Sequence, residues 1–147
     1  MHTLIIRDMK EEDIPQVLEI ERASFSTPCT ANFFLNAIYG KNALSKVALY
    51  EERVVGYLCA EYLLHESHIL VLAVHPDFRR RGVAGILMSK AAGELKEKGC
   101  VFAHLKVRVS SAGAQKFYER LGFKVESFRK RYYGDPDEDA LQMVGRL

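Results

Sequence analysis

Residues 69–74, Ile-Leu-Val-Leu-Ala-Val, form an apolar run that stops at His75-Pro76 and leads through Arg79-Arg80-Arg81-Gly82 into a long helical pattern. An apolar run of that length, closed by a proline that cannot donate to a ladder, reads as a buried strand. A second apolar strand pattern, Val101 to Val109, follows the helix. Strand, helix, strand implies a parallel pair with a right-handed crossover, and so excludes all-helical and all-antiparallel folds. The turn between strand and helix also carries chemistry. The first N–H groups of a helix have no partner, and its N-terminus carries roughly half a positive charge. Three arginines add full charges, and small residues let the backbone approach an anion closely. The segment therefore points to a ligand that bears phosphate.

The bulk numbers narrow the class. A chain of 147 residues with 27% charged and 48% hydrophobic residues fits one globular domain, residues 1–147. A formal net charge of +2 is too small to argue for nucleic acid. Cys29, Cys59 and Cys100 are odd in number and widely spaced, with no disulfide framework and no paired metal spacing, so no metal is expected. Free cysteines fit a reducing compartment. The stretch Met1 to Asp8 lacks a signal-peptide pattern, and no apolar run approaches the ~18 residues of a membrane helix. The expectation is a cytoplasmic protein, a monomer or weak homodimer, with neither a membrane nor a nucleic acid as partner.

Elsewhere the pattern is legible element by element. Thr3 to Arg7 reads as a strand. Ile14, Val17, Leu18, Glu21 and Phe25 recur at helical spacing behind Pro15. Thr30 caps a second helix ending near Gly40. Leu44 to Tyr50 and Val54 to Leu64 form a hairpin, and Ser67 to Val74 is the next strand. Ala84, Leu87, Met88, Ala91, Ala92 and Leu95 make the stripe of the long helix, which Gly99 stops. A helix from Ser111 to Leu121 ends at Gly122. Phe123 to Tyr133 and Ala140 to Val144 then flank a polar turn, Gly134 to Asp139. The expected order is β-α-α-β-β-β-α-β-α-β-β, an α/β fold with a mixed sheet and helices on both faces.

That order, with Arg79-x-x-Gly82-x-Ala84 after the central strand and Phe117-Tyr118-x-x-Leu121-Gly122-Phe123 later, resembles the Gcn5-related N-acetyltransferases over essentially the whole chain. More narrowly it is similar to the RimI-type enzymes, which acetylate protein N-termini. Leu72 to Gly82, Leu105-Lys106-Val107-Arg108 and Tyr132-Tyr133 ahead of Glu138-Asp139-Ala140 carry this likeness. The resemblance implies the GNAT fold, with a splayed central strand pair, and acetyl-CoA as cofactor. It implies that the backbone of Leu72, Ala73 and Val74 holds the pantetheine arm and thioester. It also places Arg79, Arg80, Arg81, Gly82, Val83, Ala84 and Gly85 around the diphosphate. The physics agrees, because a strand that parts from its neighbour leaves backbone groups free for an amide ligand. Alone, the three arginines read equally as a solvated basic turn.

Acetyl transfer to an amine requires removal of a proton from the ammonium and protonation of the leaving thiolate. By resemblance the Tyr118 hydroxyl protonates the sulfur; otherwise its ring is simply core. The RimI-type enzymes carry glutamate where this chain has Lys106, and a lysine is normally protonated at neutral pH. Three replacements remain open. His68 lies four residues before Leu72, on the same strand face because side chains alternate with period two. His104 shares a face with Lys106. Bulk water is the third, since a peptide α-amine has a pKa of about 8. Ser111 stands where asparagine commonly bonds to CoA, and reads either as a cofactor contact or as a helix cap. The loop between the first two helices (Phe25, Pro28, with Cys29 where the relatives often have tryptophan) and Tyr132-Tyr133 are the implied walls of the acceptor groove. Glu21 is either an ammonium partner or an ordinary helix carboxylate, and Lys106 faces the acceptor or is structural. The cysteines read as core or wall.

The expected activity is direct transfer of an acetyl group to the α-amine of a protein or peptide N-terminus, such as that of a ribosomal protein. The alternatives are a small-molecule amine acetyltransferase and a non-catalytic acyl-CoA-binding module.

Overall fold

A computed structural model describes residues 3–134 and 137–147. Met1 and His2 of the N-terminal segment, and Asp135 and Pro136 of the expected polar turn, lie outside the described residues. The elements are β1 (Leu4–Asp8), α1 (Ile14–Ser24), α2 (Ala31–Tyr39), β2 (Ala43–Tyr50), β3 (Arg53–Leu63), β4 (Glu66–Val74), α3 (Val83–Glu97), β5 (Phe102–Arg108), α4 (Ala112–Arg120), β6 (Lys124–Gly134) and β7 (Asp137–Arg146). The order matches the sequence reading. The seven strands form one sheet in the order β1-β2-β3-β4-β5-β7-β6, with β4 and β5 parallel and the other neighbours antiparallel.

Local signals act where the residue types place them. The Thr30 hydroxyl accepts from the Phe33 N–H at 3.3 Å and starts α2. Gly99 and Gly122, with φ of 94° and 95°, terminate α3 and α4 in the left-handed conformation. Phe25 departs from expectation: it leaves the helical stripe, takes an extended conformation as the C-cap of α1, and is exposed. Ser111 occupies the N-cap position of α4 but makes no capping hydrogen bond, so the cap reading is corrected.

One feature of β4 was invisible in the sequence. Cys59 pairs with Val71 while the next residue, Ala60, pairs with Ile69, so Leu70 is an extra residue without a partner on β3. A bulge of this kind bends its strand and resets the alternation of side chains. Ile69 therefore packs with the core on the α3 side of the sheet, and Val71 with the core on the α1 side. The bend coincides with a separation. Strands β4 and β5 pair only at Glu66–Phe102, Ser67–Ala103 and His68–His104. Beyond that point β4 stays with β3 as far as Val74, and β5 stays with β7 as far as Arg108.

The two faces of the sheet are covered unequally. On the α3 and α4 face, one apolar cluster runs from Leu44 and Leu58 through Leu87, Leu95 and Leu105 to Met143. On the other face, α1 and α2 cover only β2, β3 and β4, through Val17, Ile20, Phe34, Tyr57 and Val71. The same face of β5, which carries His104, Lys106 and Arg108, is only partly covered. A buried lysine on β2, Lys46, ties the first half of the sheet together through Asp8 on β1 and Glu94 on α3.

Gly145 on β7 has a packing reason. A Cβ there would come within 2.9 Å of the Phe123 ring, the last residue of the Phe-Tyr-x-x-Leu-Gly-Phe motif. Gly145→Ala is expected to lower stability by about 1–3 kcal/mol, the usual cost of overpacking, as a shifted denaturant midpoint with an unchanged slope.

Candidate active site

The separation of β4 from β5 creates the site. Once the ladder ends at His68–His104, the facing backbone groups of Ile69–Val74 and Leu105–Arg108 have no partner across the gap. Such groups need one, and an extended amide-bearing ligand supplies it. Leu72 packs towards the α3 side, and Val74 ends the strand. At the mouth of the gap, Arg80 and Gly82 are both left-handed (φ 64° and 80°) and curl the backbone into the start of α3. Successive N–H groups in such a turn converge into an anion-binding concavity. No atom lies within 4 Å of where a Cβ on Gly82 or Gly85 would stand, so the turn and the first helical residues are open to a ligand. Val83, Ala84 and Gly85 offer the free N–H groups of the helix start. These features fit a diphosphate.

The arginines divide. Arg79 donates from Nε to the Val74 carbonyl at 3.1 Å and from Nη2 to the Ser24 hydroxyl at 3.3 Å. Its side chain is therefore a brace between the end of β4 and α1, which corrects its assignment to the diphosphate. The Arg81 guanidinium lies 5.1 Å from the Phe78 ring. Arg80, strained into the left-handed region, contributes through the curled backbone.

Tyr118 projects from α4 into the core, 8% exposed, with its ring 5.7 Å from that of Phe123. Burial, and to a lesser degree Tyr133, push its phenol up to about 12. A phenol in that state keeps its proton at neutral pH and can give it to a thiolate that forms beside it. Among the described residues its hydroxyl makes no hydrogen bond, and neither does the Ser111 hydroxyl, which is half-buried at the start of α4.

The opposite face presents a different set. His68 and His104 stack at 5.2 Å and 26° where the ladder ends. His104 Nε2 lies 2.7 Å from Glu66 Oε2, so that nitrogen is engaged. Burial first, then His104 and Lys106, lower the His68 pKa, while Glu61 and Glu66 oppose the shift. His68 is thus neutral at pH 7 and able to accept a proton. Its position needs a correction, however. Because Leu70 bulges, His68 and Leu72 lie on opposite faces: His68 pairs with Glu61 on the α1 side, whereas Leu72 packs with the α3-side cluster. Alternation predicted the reverse.

Glu21 is also corrected. It is 1% exposed, and its two oxygens accept from the Tyr57 hydroxyl at 2.5 Å and the Cys29 N–H at 2.8 Å. A carboxylate so enclosed anchors the α1–α2 loop and does not face the groove. Burial first, then Glu21, push the Cys29 thiol up to about 12, so it is inert as a nucleophile. Cys59 and Cys100 are buried. The anchored loop presents Phe25 and Pro28, both exposed, along one side.

The other side is the β6–β7 hairpin. Arg108, which was not singled out in the sequence, braces it. Its guanidinium stacks 4.2 Å over the Tyr133 ring, donates to Glu138 Oε1 at 3.3 Å, and reaches the Ser26 hydroxyl at 3.2 Å. Glu138 also accepts from the Ser110 N–H at 2.6 Å. Tyr132 and Tyr133 meet edge to face at 5.1 Å, and the Lys106 ammonium lies 5.4 Å from the Tyr132 ring. The two expected walls therefore do stand on either side of Lys106 and Arg108. The sequence signal for Arg108 was its place after Lys106 on the same strand face.

Comparison with known proteins accords with this geometry. Residues 9–123 match the model of the Acetyltransferase (GNAT) family. The chain belongs to the GNAT family of acetyltransferases. The ribosomal protein bS18-alanine N-acetyltransferase of Salmonella typhimurium is 31% identical over 146 residues, 98% of this chain and 97% of that protein. The crystal structure of the ribosomal-protein-S18-alanine N-acetyltransferase from Escherichia coli superposes with a TM-score of 0.90 at 27% identity, covering 99% of this chain and 94% of that one. Ard1 from Thermoplasma volcanium also gives 0.90 at 27% identity, covering 98% and 97%. Acetyl-CoA is accordingly the cofactor, as the resemblance implied, and the splayed strands and open turn have the geometry to take it.

Tyr118→Phe is expected to lower kcat by about a hundredfold, the range for a lost general acid, while KM for acetyl-CoA changes by less than about twofold. Initial rates of thiol release measure both. Because the phenol titrates only near 12, wild-type activity should show no alkaline loss from Tyr118 below pH about 10.

Proposed function

We propose that the chain acetylates the N-terminal α-amine of a protein or peptide, with a ribosomal-protein-like N-terminus as the model acceptor. The observation that carries this reading is the two-walled groove on the α1 face. It lies against the free ends of β4 and β5 and is lined by backbone and tyrosines able to hold an extended peptide. The named activities of the Salmonella and Escherichia relatives support it. Acetyl-CoA, when bound, supplies the acetyl thioester on which the amine acts. The curled backbone at 80–85 holds the diphosphate, those backbone groups of the Leu72, Ala73 and Val74 segment that neither β3 nor Arg79 engages hold the pantetheine arm, and Ser111 gives it a further polar contact. Tyr118 donates its proton to the departing sulfur.

The proton of the acceptor ammonium goes to His68, directly or through one water. His68 is neutral, lies on the acceptor face, and is the last residue of β4 paired to β5. Lys106 is not given this role; its side chain lies against the Tyr132 ring, on the rim of the acceptor groove. Phe25 and Pro28 form one rim and Tyr132 with Tyr133 the other. No helix among the described residues is long and apolar enough to cross a membrane, and the reading calls for none.

The test is acetyl-CoA turnover on N-terminal peptides, lysine peptides and free amines across pH. A protonated His68 cannot accept, so kcat/KM should fall as pH drops through the His68 pKa, which burial holds below the ordinary histidine value. His68→Gln should remove that limb and leave one near about 8, that of the amine itself. An unchanged profile would show that water is the base. Turnover of free amines without peptides would replace the N-terminal reading by a small-molecule one.

A further inference from the structure

The acceptor face carries a charge pattern that the catalytic steps do not use. Cross-strand register sets it out in rows. Lys106 on β5 stands opposite Gln142 on β7, which stands opposite Ser127 on β6. The next row is Arg108, Ala140 and Arg129. Lys106 and Arg129 thus lie on one face, one strand row apart. Arg108 is neutralised by Glu138, but neither Lys106 nor Arg129 has a carboxylate partner among the described residues. The Lys106 ammonium has only the face of Tyr132, a weak partner for a full charge.

The edge strand extends the pattern. Between Arg129 and Tyr133 the ladder slips, so that Lys130, Arg131 and Tyr132 bulge out opposite Asp139. Arg131 is left-handed (φ 49°), a conformation that costs energy outside glycine, and its N–H is pinned by Asp139 Oδ1 at 2.8 Å. Arg129, Lys130 and Arg131 are all exposed. The nearby acids are engaged elsewhere: Glu138 by Arg108 and Ser110, Asp139 by the Arg131 N–H, Glu126 by Gln142 Nε2 at 3.0 Å and by His104, and Glu66 by His104; among the described residues none forms an ion pair with Lys106 or Arg129. Gln142 Oε1, in register with Lys106, is a buried acceptor without a partner among the described residues, so a polar segment with N–H groups suits the floor between the cations.

We propose that the preferred acceptor is an N-terminus followed within its first few residues by aspartate or glutamate, with Lys106 and Arg129 as the specificity-determining cations and Lys130 and Arg131 extending the track. The inference rests on the N-terminal reading above and names its substrate class. Lys106 then has a role on the acceptor side. A positive groove selects a negative segment, and the same charge disfavours a basic one.

The experiment compares octapeptides with the same first residue and Glu, Gln or Lys at the following three positions, at about 0.05 M and 0.3 M salt. Expected is a kcat/KM for the Glu peptide roughly tenfold above its Gln isostere at low salt, narrowing at high salt, with the Lys peptide poorest. Arg129→Gln should close part of that gap while the Gln peptide is little changed, and Lys106→Gln should lower the ratio of Glu-peptide to Gln-peptide kcat/KM. Lys106→Glu should favour the Lys peptide. Arg129 is exposed, so its variant reports on charge even if a change at Lys106 disturbs the groove. Equal rates on Glu and Gln peptides, or a preference for Lys peptides by the unaltered protein, would overturn the proposal and leave the N-terminal reading standing. Acetylation of free amines but of no peptide would overturn both.

Discussion

The parting of β4 from β5 is the constraint on which the site depends. Three residue pairs hold the strands together, and after His68 each follows its other neighbour. The reason is local: β4 carries one residue more than β3 can match, and a strand with an unmatched residue bends. The bend leaves a row of polar backbone groups without a ladder. In a buried strand this would be costly, and a ligand that replaces the ladder recovers the loss. The cofactor site is thus an unfinished piece of sheet.

Unequal covering of the sheet makes the second half of the site. Helices α3 and α4 pack over one face as far as β7, whereas α1 and α2 stop at β4 on the other. What remains on that side is a shelf formed by β5 and the β6–β7 hairpin. Two polar anchors hold its walls in place. Glu21, sealed inside by Tyr57 and the Cys29 N–H, fixes the α1–α2 loop, and Arg108 fixes the hairpin through Tyr133 and Glu138. A carboxylate buried without a cation is tolerated here because three groups donate to it: two through the hydrogen bonds above, the third through the Cys29 thiol.

Much of this was legible. Element types and order follow from apolar periodicity, from Thr30, and from the glycines at 99 and 122, because those signals act over a few residues of chain. The turn into α3 was equally plain as a turn, since its glycine and the helix that follows belong to one contiguous segment. Tyr118 was found through a motif and then given a physical role by its burial. The misreadings share a cause. His68 and Leu72 were placed on one face by counting along the strand, and a bulge is defined by the partner strand. Arg79 was read as a cation for phosphate, and Glu21 either as an anion for the acceptor ammonium or as an ordinary helix carboxylate, whereas each has a partner of its own, the Val74 carbonyl and the Tyr57 hydroxyl.

The sequence by itself determined the elements, their order, the mixed parallel sheet and the turn that takes an anion, because periodicity, capping and φ preference are properties of neighbouring residues. Only the tertiary structure decided where the sheet opens, which face His68 occupies, which charges are consumed internally and which are left for an acceptor. Those outcomes depend on register between strands and on contacts between residues as far apart as Ser26 and Arg108, and no local pattern encodes them.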